Sequence, residues 1–239
     1  MTELLYQDDS YIHTFDATII AVDHDNHGVV LDRTAFFPGG GGQPADFGTL
    51  ATKNEAFSVK RVKRIDGKLV HLIEDDSLPE LNSQVQGHIN WENRYKLMRT
   101  HTAMHILCGV IFRDYGASVT GGNMEVLKGR MDFEFESMHR DLVDEININI
   151  NAEVKNARPV SWRGLPREEA FKIPDLIRTK INLLPKGIKQ VRVVEIEGLD
   201  LQADGGTHVR NTSEVGAIRV VDYKSKGKIN KRIYVELDP

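Results

Sequence analysis

Up to about residue 90 the chain sets apolar and polar positions in short alternating runs; from Trp91 onward its longest segment repeats its apolar residues at helical spacing. In the first part, ATIIAVDHDNHGVVLDRTAFF reads as strand-like runs about a polar turn, DHDNHG. SVKRVKRIDGKLVHLI reads as a hairpin, because Asp66-Gly67 suits a two-residue turn in which both positions take positive φ. NSQVQGHINW adds a further short strand. Many short strands separated by turn signals predict a small barrel or sandwich over residues 1–90.

WENRYKLMRTHTAMHILCGVIFRDYG carries no proline and no break before Gly109, so it predicts a long helix with Asn90 or Asn93 as its cap. Leu97, Met104, Leu107 and Ile111 form one helical stripe; Arg94, Met98, His101, His105 and Cys108 form the stripe beside it. GRMDFEFES alternates as a strand does. DLVDEINININAEVKNA is ambiguous: Ile146, Ile148 and Ile150 have strand periodicity, while Leu142, Ile146, Ile150 and Val154 have helical periodicity, and its length favours a helix. VSWRG and KQVRVVEIEG follow as strands, PREEAFK as a helical turn, and EVGAIRVVDYKSKGKINKRIYVEL as a closing hairpin. The mixture predicts an α+β domain over residues 91–239.

Composition narrows the class. Hydrophobic residues make up 40% of the 239, enough for a real core, and no apolar run approaches the ~20 residues that span a bilayer. The acidic start, MTELLYQDDS, lacks the order of a signal peptide. A single cysteine, Cys108, excludes an internal disulfide framework and fits a reducing, cytoplasmic setting. With a net charge of −4, a nucleic-acid partner has to be held by local patches. Two are visible: Lys60, Arg61, Lys63 and Arg64, and KSKGKINKR, which contains Lys224, Lys226, Lys228, Lys231 and Arg232. On charge alone a solvated hairpin is the favoured reading of each.

The chemistry concentrates in three stretches. His101 and His105 lie one helical turn apart and can reach one ion, although the spacing alone also suits two half-buried histidines with ordinary hydrogen bonds. There is no HExxH motif, which excludes that metalloprotease reading. Downstream, DGGTH sets Asp204 and His208 about two glycines that allow a tight turn. The four side chains make a plausible zinc set. Its harder carboxylate donor suits a catalytic or substrate-binding ion better than a structural one, and Asp204 acting only from behind the histidines would leave a position open. Cys108 is a rival ligand that more often belongs to a core. The third stretch, TAFFPGGGGQPADFG, lacks the lysine of a Walker A loop; its Gly39, Gly40, Gly41 and Gly42 present bare backbone N–H groups to a phosphate or ribose, or simply turn the chain.

FFPGGGGQPADFG, NRYKLMRTHTAMHIL and ADGGTHVRNTSEVG together, in that order, resemble the alanyl-tRNA editing proteins (AlaX), free-standing relatives of the editing domain of alanyl-tRNA synthetase. The resemblance covers most of the chain, and the length resembles the family's medium form. It implies an N-terminal barrel-like domain followed by an α+β two-layer editing domain like the second additional domain of threonyl- and alanyl-tRNA synthetases. It implies a zinc-dependent deacylase that acts on mischarged tRNA(Ala), seryl-tRNA(Ala) first and glycyl-tRNA(Ala) second. The family's zinc ligands map to His101, His105 and His208, and its usual fourth ligand, the cysteine of CGGTH, is Asp204 here. The glycine loop maps to Gly39–Gly42, Gln43 and Pro44, with Thr34 and Gln43 as the groups that act on the substrate. The basic residues Lys224, Lys226, Lys228, Lys231 and Arg232 become tRNA-backbone contacts. Arg130 and Asp132 fit catalysis or an ion pair bracing helix against sheet. Two rival readings remain: an RNA-binding module with a structural zinc and no catalysis, and a zinc hydrolase acting on some other small ester or amide.

Overall fold

The computed structural model describes residues 2–179, 184 and 187–239. The chain forms two compact units, Met1–Tyr95 and Lys96–Pro239. The division falls inside the long helix.

In the first unit a two-residue strand β1 (Glu3–Leu4) pairs with β4 (Arg33–Thr34), and a short helix α1 (Leu5–Asp8) follows β1. The remaining strands are β2 (Thr14–Asp23), β3 (Gly28–Leu31), β5 (Gly48–Ala51), β6 (Ala56–Ile65), β7 (Lys68–Ile73) and β8 (Gln84–Ile89). They close in the order β2-β3-β7-β6-β5-β8 into an antiparallel barrel, which leaves no free edge. Alternation decides the inside: Phe15, Ala17, Ile19, Leu50, Phe57, Val59 and Val85 fill the core. Asp66 and Gly67 both take positive φ, 46° and 78°, at the predicted hairpin turn.

The glycine stretch connects β4 to β5. All four glycines have positive φ (82°, 139°, 59° and 91°), which no other residue adopts four times in a row. Gly40 and Gln43 exchange backbone hydrogen bonds of 3.0 and 2.9 Å, so Gly41 and Gly42 form the turn and their N–H groups are not spent in that pairing. Both feet of the loop are held by Arg94, in the first turn of α2 (Trp91–Tyr115). Its Nη2 donates to the Ala35 carbonyl at 2.6 Å, its Nε reaches Asp46 at 3.0 Å, and its Nη1 donates to the Ser10 carbonyl at 3.0 Å. Asp46 also accepts from the Phe37 N–H at 2.6 Å. Both side chains of this ion pair are fully buried. Losing either partner would strand a charge without water, at a cost of about 3–5 kcal/mol.

A second buried network joins three strands of this unit, β3, β4 and β7. His71 on β7 lies 3.2 Å from the Val29 carbonyl through Nδ1 and 2.8 Å from the Thr34 hydroxyl through Nε2. A carbonyl only accepts, so Nδ1 carries the hydrogen and the Thr34 O–H donates to Nε2. Thr34 Oγ1 in turn accepts from the Phe36 N–H at 3.2 Å.

At the start of α2, still within the first unit, the Asn90 side chain accepts from the Asn93 N–H, as predicted. From Thr100 to Ile111 every residue of α2 is buried, so the two expected stripes merge into a helix with no wet face. Strands β9 (Val119–Glu125) and β10 (Lys128–Glu134) are followed by α3 (Arg140–Lys155), β11 (Val160–Pro166), α4 (Arg167–Ala170), β12 (Gln190–Ile196), β13 (Asp200–Ala203), a 3-10 turn (Thr212–Val215), β14 (Ile218–Ser225) and β15 (Asn230–Leu237). One antiparallel sheet runs β14-β15-β10-β9 and the other β11-β12-β13. The fold of the second unit is the α+β arrangement read from the sequence, and the barrel precedes it in the chain.

The ambiguous INININ run is helical, as its length suggested. Val143, Ile146, Ile150 and Val154 face inward, and Ile148 is 68% exposed. Its asparagines explain the alternation. Asn151 bonds both the N–H (3.0 Å) and the carbonyl (2.7 Å) of Ile218, and Asn147 accepts from the Val220 N–H (2.9 Å), along the edge strand β14. Asp132 and Arg232 stand opposite each other on β10 and β15 and pair at 2.6 and 2.7 Å. That ion pair lies within a sheet and does not brace a helix. Arg130 faces Tyr234 in the same pairing.

Burial holds the His71 pKa down to about 4. Between pH ~6.5 and ~4 the unfolded chain therefore binds a proton that the folded barrel refuses, and stability falls as pH is lowered through that window, by up to about 3 kcal/mol. His71→Asn should lower stability at pH 7 and flatten this part of the pH dependence. Denaturant titrations of the two proteins at pH 7 and pH 4.5 give the comparison; equal slopes would remove His71 as the responsible group.

Candidate metal centre

Helical spacing places His101 and His105 on one face of α2, and β13 ends where the DGGTH turn begins. The turn is held from two sides. Asp204 Oδ2 accepts from the Gly206 N–H at 2.7 Å, and Arg192 on β12 donates through Nη1 to the carbonyls of Asp204 (3.2 Å) and Gly206 (2.9 Å). His208 and Asp204 thereby come back onto the helix. His101 and His208 stack with ring centroids 4.2 Å apart, and His105 meets them edge-on at 5.2 and 4.7 Å. Asp204 Oδ2 lies 3.0 Å from His208 Nε2, and Oδ1 lies 3.6 Å from His101 Nε2. One donor atom from each of the four residues lies within 4.8 Å of all the others, so the group could hold a metal ion. Cys108, buried in the helix, is outside that group.

The outer nitrogens decide whether these donors fit an ion. His105 Nδ1 bonds Asp200 at 2.9 Å, and His208 Nδ1 lies 3.2 Å from the Thr102 hydroxyl. His101 is bonded by the backbone of Thr207. Each imidazole is thus tied from behind, with Nε2 of His101 and His208 turned to Asp204, which is the arrangement that metal-ligating histidines need.

The electrostatics agree. Burial, opposed by the Asp204 charge, brings the His101 pKa down to about 4. Burial and the neighbouring His101 hold His208 well below its usual range. His105 is pushed down by burial and more than restored by Asp200 and Asp204, so its pKa is raised. Burial alone would raise Asp204, but the three imidazoles hold it well below the ordinary carboxylate range. At neutral pH, two imidazoles are unprotonated beside an ionised carboxylate.

The other expected residues are spread through the two units. Within the first, Thr34 and Gln43 are buried, Gly40, Gly41 and Pro44 are exposed, and Gly39 and Gly42 are half-buried. Lys60, Arg61, Lys63 and Arg64 are exposed on β6. Within the second, Lys226 and Lys228 are exposed where β14 turns to β15. Lys224 pairs with Asp222 at 3.1 Å. The Lys231 ammonium turns inward to the carbonyls of Gly227 and Lys228, 2.9 Å from each, and Arg232 is held by Asp132. Those two cations shape the hairpin. Sequence reasoning missed Asp200, Thr102 and Arg192. The signal for Asp200 was in the text: Asp200, Gln202 and Asp204 alternate on one face of a strand.

Comparison with known proteins sets this geometry in context. Residues 191–234 match the profile of the threonyl and alanyl tRNA synthetase second additional domain, and residues 11–93 match that of the class II (A) tRNA synthetases. The chain is 40% identical to the alanyl-tRNA editing protein AlaX-M of Saccharolobus solfataricus over the whole of both chains. It is 37% identical to that of Methanosarcina barkeri over 99% of each. It is also 35% identical to the alanine–tRNA ligase of Ignicoccus hospitalis, over 92% of this chain and 24% of the ligase.

Proposed function

The chain belongs to the alanyl-tRNA editing proteins of the AlaX-M family, and from that membership we propose that it is a trans-editing hydrolase that removes serine, and glycine as a second substrate, from mischarged tRNA(Ala) in the cytoplasm. The observation that carries the reading is the cluster of His101, His105, Asp204 and His208, whose imidazoles are each tied from behind. Zinc is the ion these donors suit, and when bound it supplies a Lewis acid and an anchor beside the aminoacyl ester.

The chain's own residues carry the rest. His101 and His208 reach neutral pH unprotonated, and Asp204 reaches it ionised, so they accept a cation without first shedding protons. The glycine loop offers the N–H groups of Gly41 and Gly42 for charge that develops on the ester oxygen. Gly39, Gly40, Gln43 and Pro44 complete the substrate-binding loop. Thr34 is the group assigned to the serine side chain. Its proton is committed to His71, so its oxygen is what would accept from the serine hydroxyl. A site built to pair a hydroxyl disfavours the methyl of alanine, because its polar groups are then left unmatched.

The tRNA backbone would be met by the exposed Lys226 and Lys228 together with Lys224. Lys231 and Arg232 contribute by holding the hairpin and adding charge. A second reading, an RNA-binding module with a structural zinc, draws on the donor count, since four protein ligands can close a tetrahedral site with none left for substrate.

Deacylation of Ser-tRNA(Ala) beside Ala-tRNA(Ala), with and without a chelator, separates the two. Serine should be released with alanine spared, and chelation or His105→Ala should slow release by on the order of 100-fold or more. No hydrolysis by folded, zinc-loaded protein would favour the binding module. Thr34→Val should lower the preference for seryl over alanyl ester by ~10–100-fold, the cost of an unpaired polar group; an unchanged ratio removes Thr34 from that role. Lys226→Glu with Lys228→Glu should weaken tRNA binding by ~10-fold at moderate salt and flatten its salt dependence, at unchanged zinc content. Binding that survives both changes would make the hairpin a solvated feature only.

A further inference from the structure

Asp200 opens β13, and its side chain is fully buried. Oδ2 accepts from His105 Nδ1 at 2.9 Å and from Gln202 Nε2 at 2.7 Å. Oδ1 lies 3.5 Å from Arg178 Nε, with no hydrogen bond formed, and the Arg178 guanidinium sits 3.6 Å over the Phe112 ring. The carboxylate therefore directs its hydrogen-bonding edge at the histidine, while the arginine supplies only a nearby charge. A buried acid used merely to balance Arg178 would turn a bidentate edge to the guanidinium, as Asp132 does to Arg232.

The backbone is arranged around this contact. Gly109 is one helical turn beyond His105, and a Cβ there would lie 3.0 Å from Asp200 Cβ and 2.9 Å from Leu199 Cγ. A side chain at 109 would push β13 off the helix and lengthen the His105–Asp200 bond. Gln202, two residues on and on the same face, fixes the carboxylate's rotation, and Asp204, two further, joins the metal-ligand group.

We propose that Asp200 is a positioning residue of the metal centre: by holding the hydrogen on His105 Nδ1, it presents the Nε2 lone pair to the point shared with His101, Asp204 and His208. The inference rests on the metal reading given under Proposed function. Asp200 touches neither ion nor substrate. It raises the donor strength of one ligand and selects its tautomer, and it brings a negative charge next to a cationic set.

The test compares full-length wild type, Asp200→Asn and the double variant Asp200→Asn/Arg178→Met, which removes both buried charges together and so leaves none unpaired. Zn2+ affinity is measured by competition with a chromophoric chelator, the His105 tautomer by 15N NMR of the imidazole, and folding by thermal melts of the metal-free proteins. Expected are a 10–100-fold weaker affinity in each folded variant and loss of the single Nδ1–H form. Wild-type affinity with the same tautomer in either folded variant would overturn the proposal while leaving the metal reading intact. A wild-type protein that takes up no stoichiometric Zn2+ would sink both. Failure of both variants to fold would assign Asp200 to charge balance in the core and overturn the proposal as well.

Discussion

Three buried imidazoles that could hold one ion each need a polar partner to fix the ring, and the second unit supplies one for every ring. Thr207, Asp200 and Thr102 each lie behind a different histidine, and they come from the DGGTH turn, β13 and α2. The turn after β13, which carries Thr207 and His208, is held by Arg192 through two of its carbonyls. Burial then keeps His101 and His208 unprotonated at neutral pH, while Asp200 and Asp204 raise the His105 pKa. The stretch of α2 that carries two of the four candidate donors is buried on every side from Thr100 to Ile111.

The barrel unit solves a different problem with the same tools. A run of glycines has no side chains to hold its shape, so the shape must be imposed at its ends. Arg94 and Asp46 do this with a fully buried ion pair that also takes up the carbonyls of Ser10 and Ala35 and the N–H of Phe37. Between those ends the backbone alone defines a surface of N–H groups. Any partner that reads this loop reads its backbone and not its composition.

Much of this was legible in the residues. The strand-rich first part, the Asp66-Gly67 turn, the capped long helix and the closing hairpin follow from local pattern, and local pattern is where sequence speaks most directly. The two candidate donor pairs stood out for the same reason: in each the residues are four apart, one pair on α2 and the other in the turn after β13. What the text withheld was the consequence of distance. His105 and Asp200 are 95 positions apart, and Thr102 and His208 are 106 apart, so no periodicity links them. Asp132 suggested a helix brace and instead pairs across a strand register that only folding sets. Lys231 and Arg232 resembled their exposed neighbours in composition, yet hydrogen bonds turn them to structural work.

The asparagines of α3 carry a consequence for life at high protein concentration. The outer edge of β14 would otherwise present open N–H and carbonyl groups, which are a template on which strands of other chains add. Asn147 and Asn151 already occupy the N–H and carbonyl of Ile218 and the N–H of Val220, so over the first residues of β14 the helix stands where another strand would add. A segment whose isoleucine–asparagine alternation would invite cross-chain stacking if it were extended is, once coiled, what covers that part of the edge.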